Sequence, residues 1–380
     1  MESIYLDHAA TTPVHPGVIE AMLPVYQEVY GNPSSVHQFG RKARRILDEA
    51  RRTTAASIGA NEKEIVFTSG GTEADNLAII GSAMANQGKG KHIITTQIEH
   101  HATLHAVESL EAEGFEITYL PVDETGAVKV SEVEAALRED TILVSIMMVN
   151  NETGIIQPIA EIAAILKDHQ ASFHSDIVQA YGLMEVDVQK LPIDLLAVSG
   201  HKINGPKGVG FLYVREGTTL TSLQHGGEQE RKRRAGTENV PAIKGFEEAI
   251  KILRDNRNEY KASYHRYKQL FLDTLKEEEV QFTVNGAEDK MMESIVNISF
   301  PGTNVETMLT NFDLSGVAAS SGSACTAGSV EPSHVLSAMY GSEDERTTNS
   351  IRFSFGLANN EENVEQAARK VSQIVDRLSE

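Results

Sequence analysis

Short apolar stretches rich in β-branched residues alternate with helix-periodic stretches between about residues 65 and 215. The stretches with the length and composition of buried strands are "EIVFTSG", "KHIITT", "EITYLPV", "TILVSIMMV" and "SFHSD". Those with helical spacing are "TEADNLAIIGSAMANQ", "ATLHAVESLEAEG", "VSEVEAALRE" and "IAEIAAILKDH". This alternation predicts an α/β fold in which helices cover both faces of a mostly parallel sheet. The stretches "DLLAVSG" and "GVGFLYV" follow each other without a long helix, which predicts an antiparallel addition to the sheet.

The pattern changes at Val240, where a long, charged and helix-periodic stretch begins. After it come a predicted strand "SIVNISF", a helix around "VETMLTNFD", a strand "SIRFSFG" and a closing helix "NEENVEQAARKVSQIVDRLSE". We therefore predict two domains. The large α/β domain covers residues 16–255, and a smaller α+β domain is formed by residues 1–15 and 256–380.

Composition narrows the classes of partner and the compartment. The 380-residue chain has 54 acidic and 34 basic residues, and its formal net charge of −20 repels nucleic acid at long range. It has no apolar run of about 18 residues, and its first residues, "MESIYLDHAATTP", lack the basic and apolar regions of a signal peptide. We therefore expect a cytoplasmic protein with no membrane span and no direct nucleic-acid partner.

Cys325 is the only cysteine of the chain, which excludes an intramolecular disulfide and a metal cage built from cysteines. We expect no metal site and a reducing compartment. The thiol lies in "SSGSACTAG", residues 320–328, where every neighbour is small. A buried, inert cysteine is the common alternative, but serines and glycines give it little to pack against.

A glycine-rich turn, "SGGTEADN" (Ser69–Asn76), lies between a predicted strand and a predicted helix. Gly70 and Gly71 let the backbone approach a ligand closely, and the free amides and dipole of a helix N-terminus suit a phosphate. The stretch matches neither the Walker A nor the dinucleotide pattern. A turn that only starts a helix explains it equally well.

Lys202 follows the apolar strand "LLAV" in "SGHKINGPKGVG" (Ser199–Gly210). The strand brings it to the edge of the sheet, where ligands bind in open α/β folds. A desolvated lysine can lose its proton and attack a carbonyl carbon, although a surface lysine is the ordinary alternative. Ser199 and His201 are placed to contact the same phosphate as Thr72.

Asp176 ends a β-type run in "FHSDIVQAYG", and Gln179 follows three residues later. The aspartate is either a helix N-cap or the partner of a protonated pyridine nitrogen in pyridoxal phosphate. A strand ending in Asp, followed about 25 residues later by a strand and Lys202, is the order expected of pyridoxal phosphate enzymes.

Three further polar residues occur at or in predicted strands. His100, in "QIEHHATLH", can stack on a cofactor ring and move protons, or it is structural. Asn151, in "VNNETG", offers an amide at another strand end. Arg352 lies in the apolar strand "NSIRFSFG" and needs an anion, which is either a substrate carboxylate or an acid in a structural ion pair.

Seven stretches together resemble the group I cysteine desulfurases, which are fold-type I pyridoxal phosphate enzymes of the class V aminotransferase group. The stretches are "SGGTEADN", "EHHA", "VNNETG", "HSDIVQAYG", "SGHKINGPKG", "RAGTENV" and "SSGSACTAG". The resemblance extends from "YLDHAATTP" to "IRFSFG", which is nearly the whole chain. It implies a large domain with a mostly parallel mixed sheet flanked by helices, and a smaller α+β domain that carries a mobile cysteine loop.

The resemblance also implies a role for each matching residue. Lys202 would hold pyridoxal 5′-phosphate covalently and act as the base, and His100 would stack on the ring and carry protons. Asp176 would pair with the ring nitrogen and Gln179 with the ring hydroxyl. The remaining roles are phosphate binding by Gly71, Thr72, Ser199, His201 and the partner subunit's Thr237, cofactor and substrate contact by Asn151, substrate contact by Arg352, and sulfur acceptance by Cys325.

The activity implied by the resemblance is the removal of sulfur from L-cysteine, which gives L-alanine and a persulfide on Cys325. A homodimer is implied because Thr237 would act across subunits. The sulfur would pass to an acceptor protein, either an iron–sulfur cluster scaffold or a tRNA-thiolating enzyme.

Two other functions compete with this hypothesis. One is a different class V reaction, such as that of an aminotransferase, which has no need of Cys325, or of a selenocysteine lyase. The other is a sulfur-relay or scaffold protein whose partner surface matters more than its catalysis. The combination of Lys202, Asp176 and Cys325 argues against a purely non-catalytic role.

Overall fold

The computed structural model describes residues 3–322 and 332–379. The predicted alternation of strands and helices is present up to residue 214. The elements in chain order are β1 (Ile4–Tyr5), α1 (Pro16–Glu28), α2 (Gln38–Ser57), β2 (Ile65–Thr68), α3 (Gly71–Asn86), β3 (His92–Thr96), α4 (His101–Ala112), β4 (Glu116–Leu120), α5 (Val130–Ala136), β5 (Thr141–Ser145), α6 (Ile159–Leu166), β6 (Ser172–Asp176), β7 (Leu195–Ser199) and β8 (Gly210–Val214).

The chain after residue 214 is dominated by one long helix. The elements are α7 (Val240–Glu277), β9 (Thr283–Val284), β10 (Ile295–Ser299), α8 (Val305–Leu314), β11 (Val317–Ala318), α9 (His334–Tyr340), α10 (Arg346–Asn349), β12 (Ser350–Ser354) and α11 (Glu361–Ser379). The predicted domain boundary at residue 255 lies inside α7, so the division into two domains stays a prediction. None of the helices in the described ranges is both long and apolar enough to cross a membrane.

A seven-stranded sheet has the order β2-β8-β7-β6-β5-β3-β4. Strands β7, β6, β5, β3 and β4 are parallel, and β8 is antiparallel to both β7 and β2. The predicted fold class, with an antiparallel addition to a mostly parallel sheet, is confirmed. Because β8 alone runs the other way, the carboxyl ends of all the other strands meet at one edge of the sheet.

Strand β7 shows why the sheet is buried on both faces. Leu196 and Val198 belong to the core shared with α7, whereas Leu195 and Ala197 belong to the core shared with α3. Since successive side chains of a strand point to opposite faces, a wholly apolar strand requires a helix on each side. Full burial of one leucine or valine side chain contributes roughly 1.5–3 kcal/mol.

A three-stranded antiparallel sheet, β12-β10-β9, forms the second part of the structure. An aromatic cluster that includes Phe271, Phe300 and Phe353 fills its core. The N-terminal strand β1 pairs in parallel with β11, and the amide of Ser354 donates to the carbonyl of Leu6. The N-terminal segment therefore runs from this second part towards the carboxyl edge of the large sheet.

Candidate active site

A cavity of about 430 Å³ opens at the carboxyl edge of the large sheet. Parallel strands bring their following loops together at such an edge, which explains how distant motifs meet there. The predicted site residues that line the cavity are Gly71, Thr72, His100, Asn151, Asp176, Gln179, Ser199, His201, Lys202 and Arg352.

Lys202 ends a single 3₁₀ turn directly after β7. Its Nζ donates to the carbonyl oxygen of Ala9 and, at 2.9 Å, to that of Ala10. Burial lowers the pKa of Lys202 to about 8, and the charge of Arg352 lowers it too, whereas Asp176 and other acids act in the opposite direction. The neutral, nucleophilic amine of Lys202 is therefore far more populated near neutral pH than that of an ordinary lysine.

Asp176 is the last residue of β6 and lies on the floor of the cavity. Its Oδ1 accepts a hydrogen bond of 2.8 Å from the amide of Val178. Burial raises the pKa of Asp176 to about 6, and the bond from Val178 and the charge of Lys202 oppose this rise. A turn rather than a helix follows, so the alternative of a helix N-cap is wrong. Gln179 Nε2 donates to the carbonyl of Ala9 at 3.0 Å.

His100 is the N-cap of α4 and also lines the cavity. Its Nδ1 accepts a hydrogen bond of 3.1 Å from the amide of Ala102, which leaves Nε2 as the nitrogen available to a ligand. Burial lowers the pKa of His100 to about 4, and the charge of Lys202 lowers it further. The imidazole is therefore neutral at physiological pH. The structural interpretation of this histidine is therefore correct, and its role at a cofactor stays a prediction.

The N-terminus of the 16-residue helix α3 forms one wall of the site. The amides of Gly71 and Thr72 donate to no protein acceptor among the described residues. A Cβ atom at Gly71 would lie 3.0 Å from Val178 Cγ2, so only glycine leaves this approach open. His201 Nδ1 lies 3.1 Å from Thr11 Oγ1, and burial lowers its pKa to about 4, with neighbouring lysines adding to the effect.

Arg352 reaches the cavity from β12. Its two terminal nitrogens donate to Asp7 Oδ1 and to the carbonyl of Asn151, both at 2.8 Å. The structural ion pair considered for this arginine is therefore present, with Asp7 as the acid. Two buried atoms remain without a hydrogen-bond partner, Nε of Arg352 and Oδ1 of Asn151. Both residues line the cavity, so both atoms are candidates for ligand contacts.

Several residues of the site were not singled out from the sequence. The carbonyl oxygens of Ala9 and Ala10 hold Lys202, and Asp7 holds Arg352. The buried acids Asp75 and Glu152 also line the cavity. Asp75 and Glu152 lie in stretches that carry the resemblance, but nothing local in the sequence indicates that the N-terminal segment folds back onto Lys202.

Two predicted residues are not brought to this cavity. Thr237 lines a separate pocket with Ser69 and Arg234. Cys325 lies outside the described residues. Ser320 and Gly322 precede the undescribed segment 323–331 and His334 follows it, and all three line the cavity.

The residues present fit pyridoxal phosphate. The unpaired amides at α3 match its phosphate, the acid Asp176 matches its ring nitrogen, and the amine of Lys202 matches its aldehyde. Within residues 3–322 and 332–379, no cluster of three or more His, Cys, Asp or Glu side chains could hold a metal ion.

The fold and the site define an α/β enzyme that depends on pyridoxal phosphate. The chain belongs to the aminotransferase class-V family, whose pattern it matches over residues 4–367. The predicted fold class and the predicted cofactor are thereby confirmed.

Relatives match over nearly the full chain. The sequence is 57% identical to a Bacillus subtilis protein named "Putative cysteine desulfurase IscS 1", over 100% of both chains. It is 47% identical to "Cysteine desulfurase IscS" of Methanosarcina thermophila, over 99% of this chain and 93% of that one. A solved structure described as "NIFS-LIKE PROTEIN" superposes with a TM-score of 0.92 at 35% identity, over 99% of this chain and 100% of that one. "SspA in complex with cysteine" gives a TM-score of 0.83 at 36% identity, over 93% and 99%.

Proposed function

We propose that this protein is a pyridoxal phosphate-dependent cysteine desulfurase that converts L-cysteine to L-alanine and leaves a persulfide on Cys325. The predicted enzyme class is confirmed by full-length relatives named cysteine desulfurase. The observation that carries the proposal is the convergence of Lys202, Asp176 and Arg352 on one cavity, to which both flanks of the Cys325 segment lead.

When bound, pyridoxal phosphate supplies a ring that withdraws electrons and stabilises negative charge at the substrate Cα. Lys202 would hold the cofactor through its amine, and ionised Asp176 would keep a proton on the ring nitrogen. Gln179 and His100, which line the cavity, would contact the ring hydroxyl and the ring face. The amides of Gly71 and Thr72, together with Ser199 and His201, bind the phosphate, which α3 further stabilises through its dipole.

Lys202 and His100 carry the protons. The neutral amine of Lys202, favoured by a pKa of about 8, takes the proton from the substrate Cα. Neutral His100, with a pKa of about 4, offers Nε2 as the second proton carrier. The lowered pKa of Lys202 makes its neutral amine more accessible than that of an ordinary lysine, and His100 is already neutral at physiological pH.

Arg352 and Asn151 bind the substrate. Nε of Arg352 and Oδ1 of Asn151 are buried without partners, and a substrate carboxylate and ammonium group are the complementary ligands. Asp7 already occupies one terminal nitrogen of Arg352 and fixes the plane of the guanidinium.

Cys325 completes the reaction as a thiolate. It attacks the substrate sulfur, so that a sulfur–sulfur bond forms and the carbon–sulfur bond breaks. The electron pair of the broken bond stays on the substrate carbon, which takes up a proton and leaves as alanine. A free thiol has a pKa of about 8.5, so its proton must be removed before the attack.

We further propose a cytoplasmic homodimer. Six large apolar side chains are exposed on α1, on the beginning of α2 and between these helices: Ile19, Leu23, Tyr26, Tyr30, Val36 and Phe39. A cluster of this kind is typical of a protein interface. Thr237 lies outside the cavity of its own chain, which fits a role in the site of the partner subunit. The sulfur acceptor is an iron–sulfur scaffold or a tRNA-thiolating enzyme.

The test of the proposed function compares wild type with Cys325→Ala in the presence of L-cysteine and a reductant. We expect both proteins to show the visible absorbance of the bound cofactor, and only the wild type to release alanine and sulfide. Full alanine release by Cys325→Ala would instead indicate a reaction that does not use the thiol. A protein without cofactor absorbance would contradict the role of Lys202.

A further inference from the structure

Three carboxyl groups are buried beneath the cavity. Asp75, Glu99 and Asp176 are 1%, 0% and 6% exposed. Glu99 accepts a hydrogen bond from the hydroxyl of Thr96, and Asp176 accepts one from the amide of Val178. Oδ1 of Asp75, in contrast, is buried and accepts no hydrogen bond. This oxygen of Asp75 therefore lacks the donor that normally stabilises a buried carboxylate as an anion.

The imidazole of His174 lies against Asp75. Its Nε2 is 3.4 Å from Oδ1 of Asp75, and its Nδ1 is 2.8 Å from Oγ of Ser145. The ring is fully buried in β6, and Nε2, like the carboxyl oxygen it faces, has no hydrogen-bond partner. An unpaired buried polar group is unfavourable, so two of them facing each other call for a shared proton.

The charges around Asp75 favour its neutral form. Burial raises the pKa of Asp75 well above its usual range, and the acids Asp176 and Glu99 raise it further. Burial lowers the pKa of His174 to about 3, so the imidazole is neutral at physiological pH. Lys202 is the cation next to Asp176, and its charge lowers the pKa of Asp176.

We propose that Asp75 is a positioning residue that remains protonated and donates its proton to Nε2 of His174, so that Asp176 is the one anion beneath the ring nitrogen. Nδ1–H of His174 then donates to Oγ of Ser145. The two hydrogen bonds, from Asp75 to His174 and from His174 to Ser145, therefore point the same way. The inference rests on the proposed function, because its consequence is felt at the cofactor.

The consequence follows from the repulsion between like charges. An ionised Asp75 would raise the pKa of Asp176, and a protonated Asp176 could not hold a proton on the ring nitrogen. A neutral Asp75 removes this competition. His174 stabilises the neutral form because it offers an acceptor to the acid but carries no charge itself.

The tautomer of His174 tests the proposal without any variant of Asp75. A neutral Asp75 requires the Nδ1–H tautomer, whereas an ionised Asp75 requires a proton on Nε2. We expect nitrogen NMR of the cofactor-free protein to show the Nδ1–H tautomer at neutral pH, with the resonance assigned by its loss in His174→Gln. The Nε2–H tautomer would overturn the proposal.

Infrared difference spectra test the proton on Asp75 itself. We expect Asp75→Asn to lose a carbonyl stretching band of a protonated carboxylic acid, which shifts in D₂O. Glu99, whose pKa burial raises to about 8, gives a second such band that both proteins retain. The matched control is His92→Asn, which also places an asparagine at a buried position. His92 lies against Thr118 and Thr141 and not against a carboxyl group, so this variant should keep both bands. Identical bands in wild type and Asp75→Asn would overturn the proposal.

Proton uptake on cofactor binding connects the pair to the site. Calorimetry in buffers of different ionisation enthalpy counts the protons taken up when pyridoxal phosphate binds. We expect Asp75→Asn, which resembles the neutral acid, to give the wild-type count, and a change of about one proton would overturn the proposal. Failure to bind pyridoxal phosphate would refute the proposed function instead, and the two measurements on the cofactor-free protein would still decide the state of Asp75.

Discussion

Lys202 is held by backbone carbonyls of the N-terminal segment, and no carboxylate within residues 3–322 and 332–379 pairs with it directly. Its ammonium group donates to Ala9 and Ala10, which also limit the space around it. Carbonyl oxygens stabilise an ammonium group less than a carboxylate does. Burial is therefore the largest influence on the pKa of Lys202, which it lowers to about 8. The surroundings of Lys202 therefore keep the pKa of this nucleophilic amine close to physiological pH.

The rate at which the cofactor-free protein captures pyridoxal phosphate should rise with pH and level off above about 8. Only the neutral amine attacks the carbonyl, and the neutral fraction of a lysine grows as the pH rises through its pKa. The measurement is stopped-flow absorbance over a pH series. Asp7→Asn should shift the midpoint to lower pH, since Asp7 raises the pKa of Lys202. A midpoint near the ordinary lysine value of about 10.4 would contradict this account.

Arg352→Lys should raise the KM for L-cysteine by roughly tenfold or more. Lysine keeps the positive charge opposite Asp7 but cannot offer a planar fork, and hydrogen bonds to charged groups contribute about 1.5–3 kcal/mol. Steady-state alanine release measures the change. Arg369→Lys is the matched control, because Arg369 pairs with Glu365 on the surface of α11. Equal KM values for the two variants would exclude Arg352 from substrate binding.

At the level of elements, the strand-to-loop junctions could be predicted better than the contacts between them. The apolar runs before Gly71, Asp176 and Lys202 are buried strands, and their periodicity was sufficient to place all three residues at one sheet edge. The ion pair of Asp7 with Arg352 could not be predicted, because it joins positions 345 residues apart. Nothing local in "YLDHAATTP" indicates that these residues lie across the site.

Gly71→Ala should weaken pyridoxal phosphate binding by about tenfold while leaving the stability of the protein unchanged or slightly higher. The added Cβ lies 3.0 Å from Val178 Cγ2 and narrows the approach to the α3 amides, whereas alanine has a higher helix propensity than glycine. Titration of the cofactor-free protein measures the affinity, and thermal unfolding measures the stability. Gly88→Ala is the control, since no atom lies within 4 Å of its added Cβ. Equal affinities would show that the phosphate does not approach Gly71.

At the scale of the whole molecule, two features have no explanation within a single chain. One is the apolar surface of α1 and the beginning of α2, and the other is Thr237, which points to no ligand pocket shared with Lys202. A second copy of the chain accounts for both features, since it would cover the apolar side chains and complete the phosphate site. The sequence predicted Thr237 through the resemblance, but its pattern of apolar residues did not distinguish α1 from a fully packed helix.

Leu23→Asp should convert the proposed dimer to monomers and should weaken cofactor binding. Thr237→Ala should weaken cofactor binding without dissociating the proposed dimer. Leu23 is 53% exposed on α1, and a charge buried in an apolar interface is strongly unfavourable. Light scattering coupled to gel filtration measures the mass. Leu314→Asp is the matched control, because Leu314 is 80% exposed at the end of α8. A Leu23→Asp protein with the mass of the wild type would place the interface elsewhere.

The most direct test of the whole account is to locate the transferred sulfur. The protein, loaded with pyridoxal phosphate, is mixed with one equivalent of L-cysteine carrying labelled sulfur, without reductant, and its peptides are analysed by mass spectrometry. The account predicts labelled persulfide sulfur on Cys325, in step with an equal amount of alanine. Alanine formed without label on Cys325 would contradict the central claim that this thiol receives the sulfur.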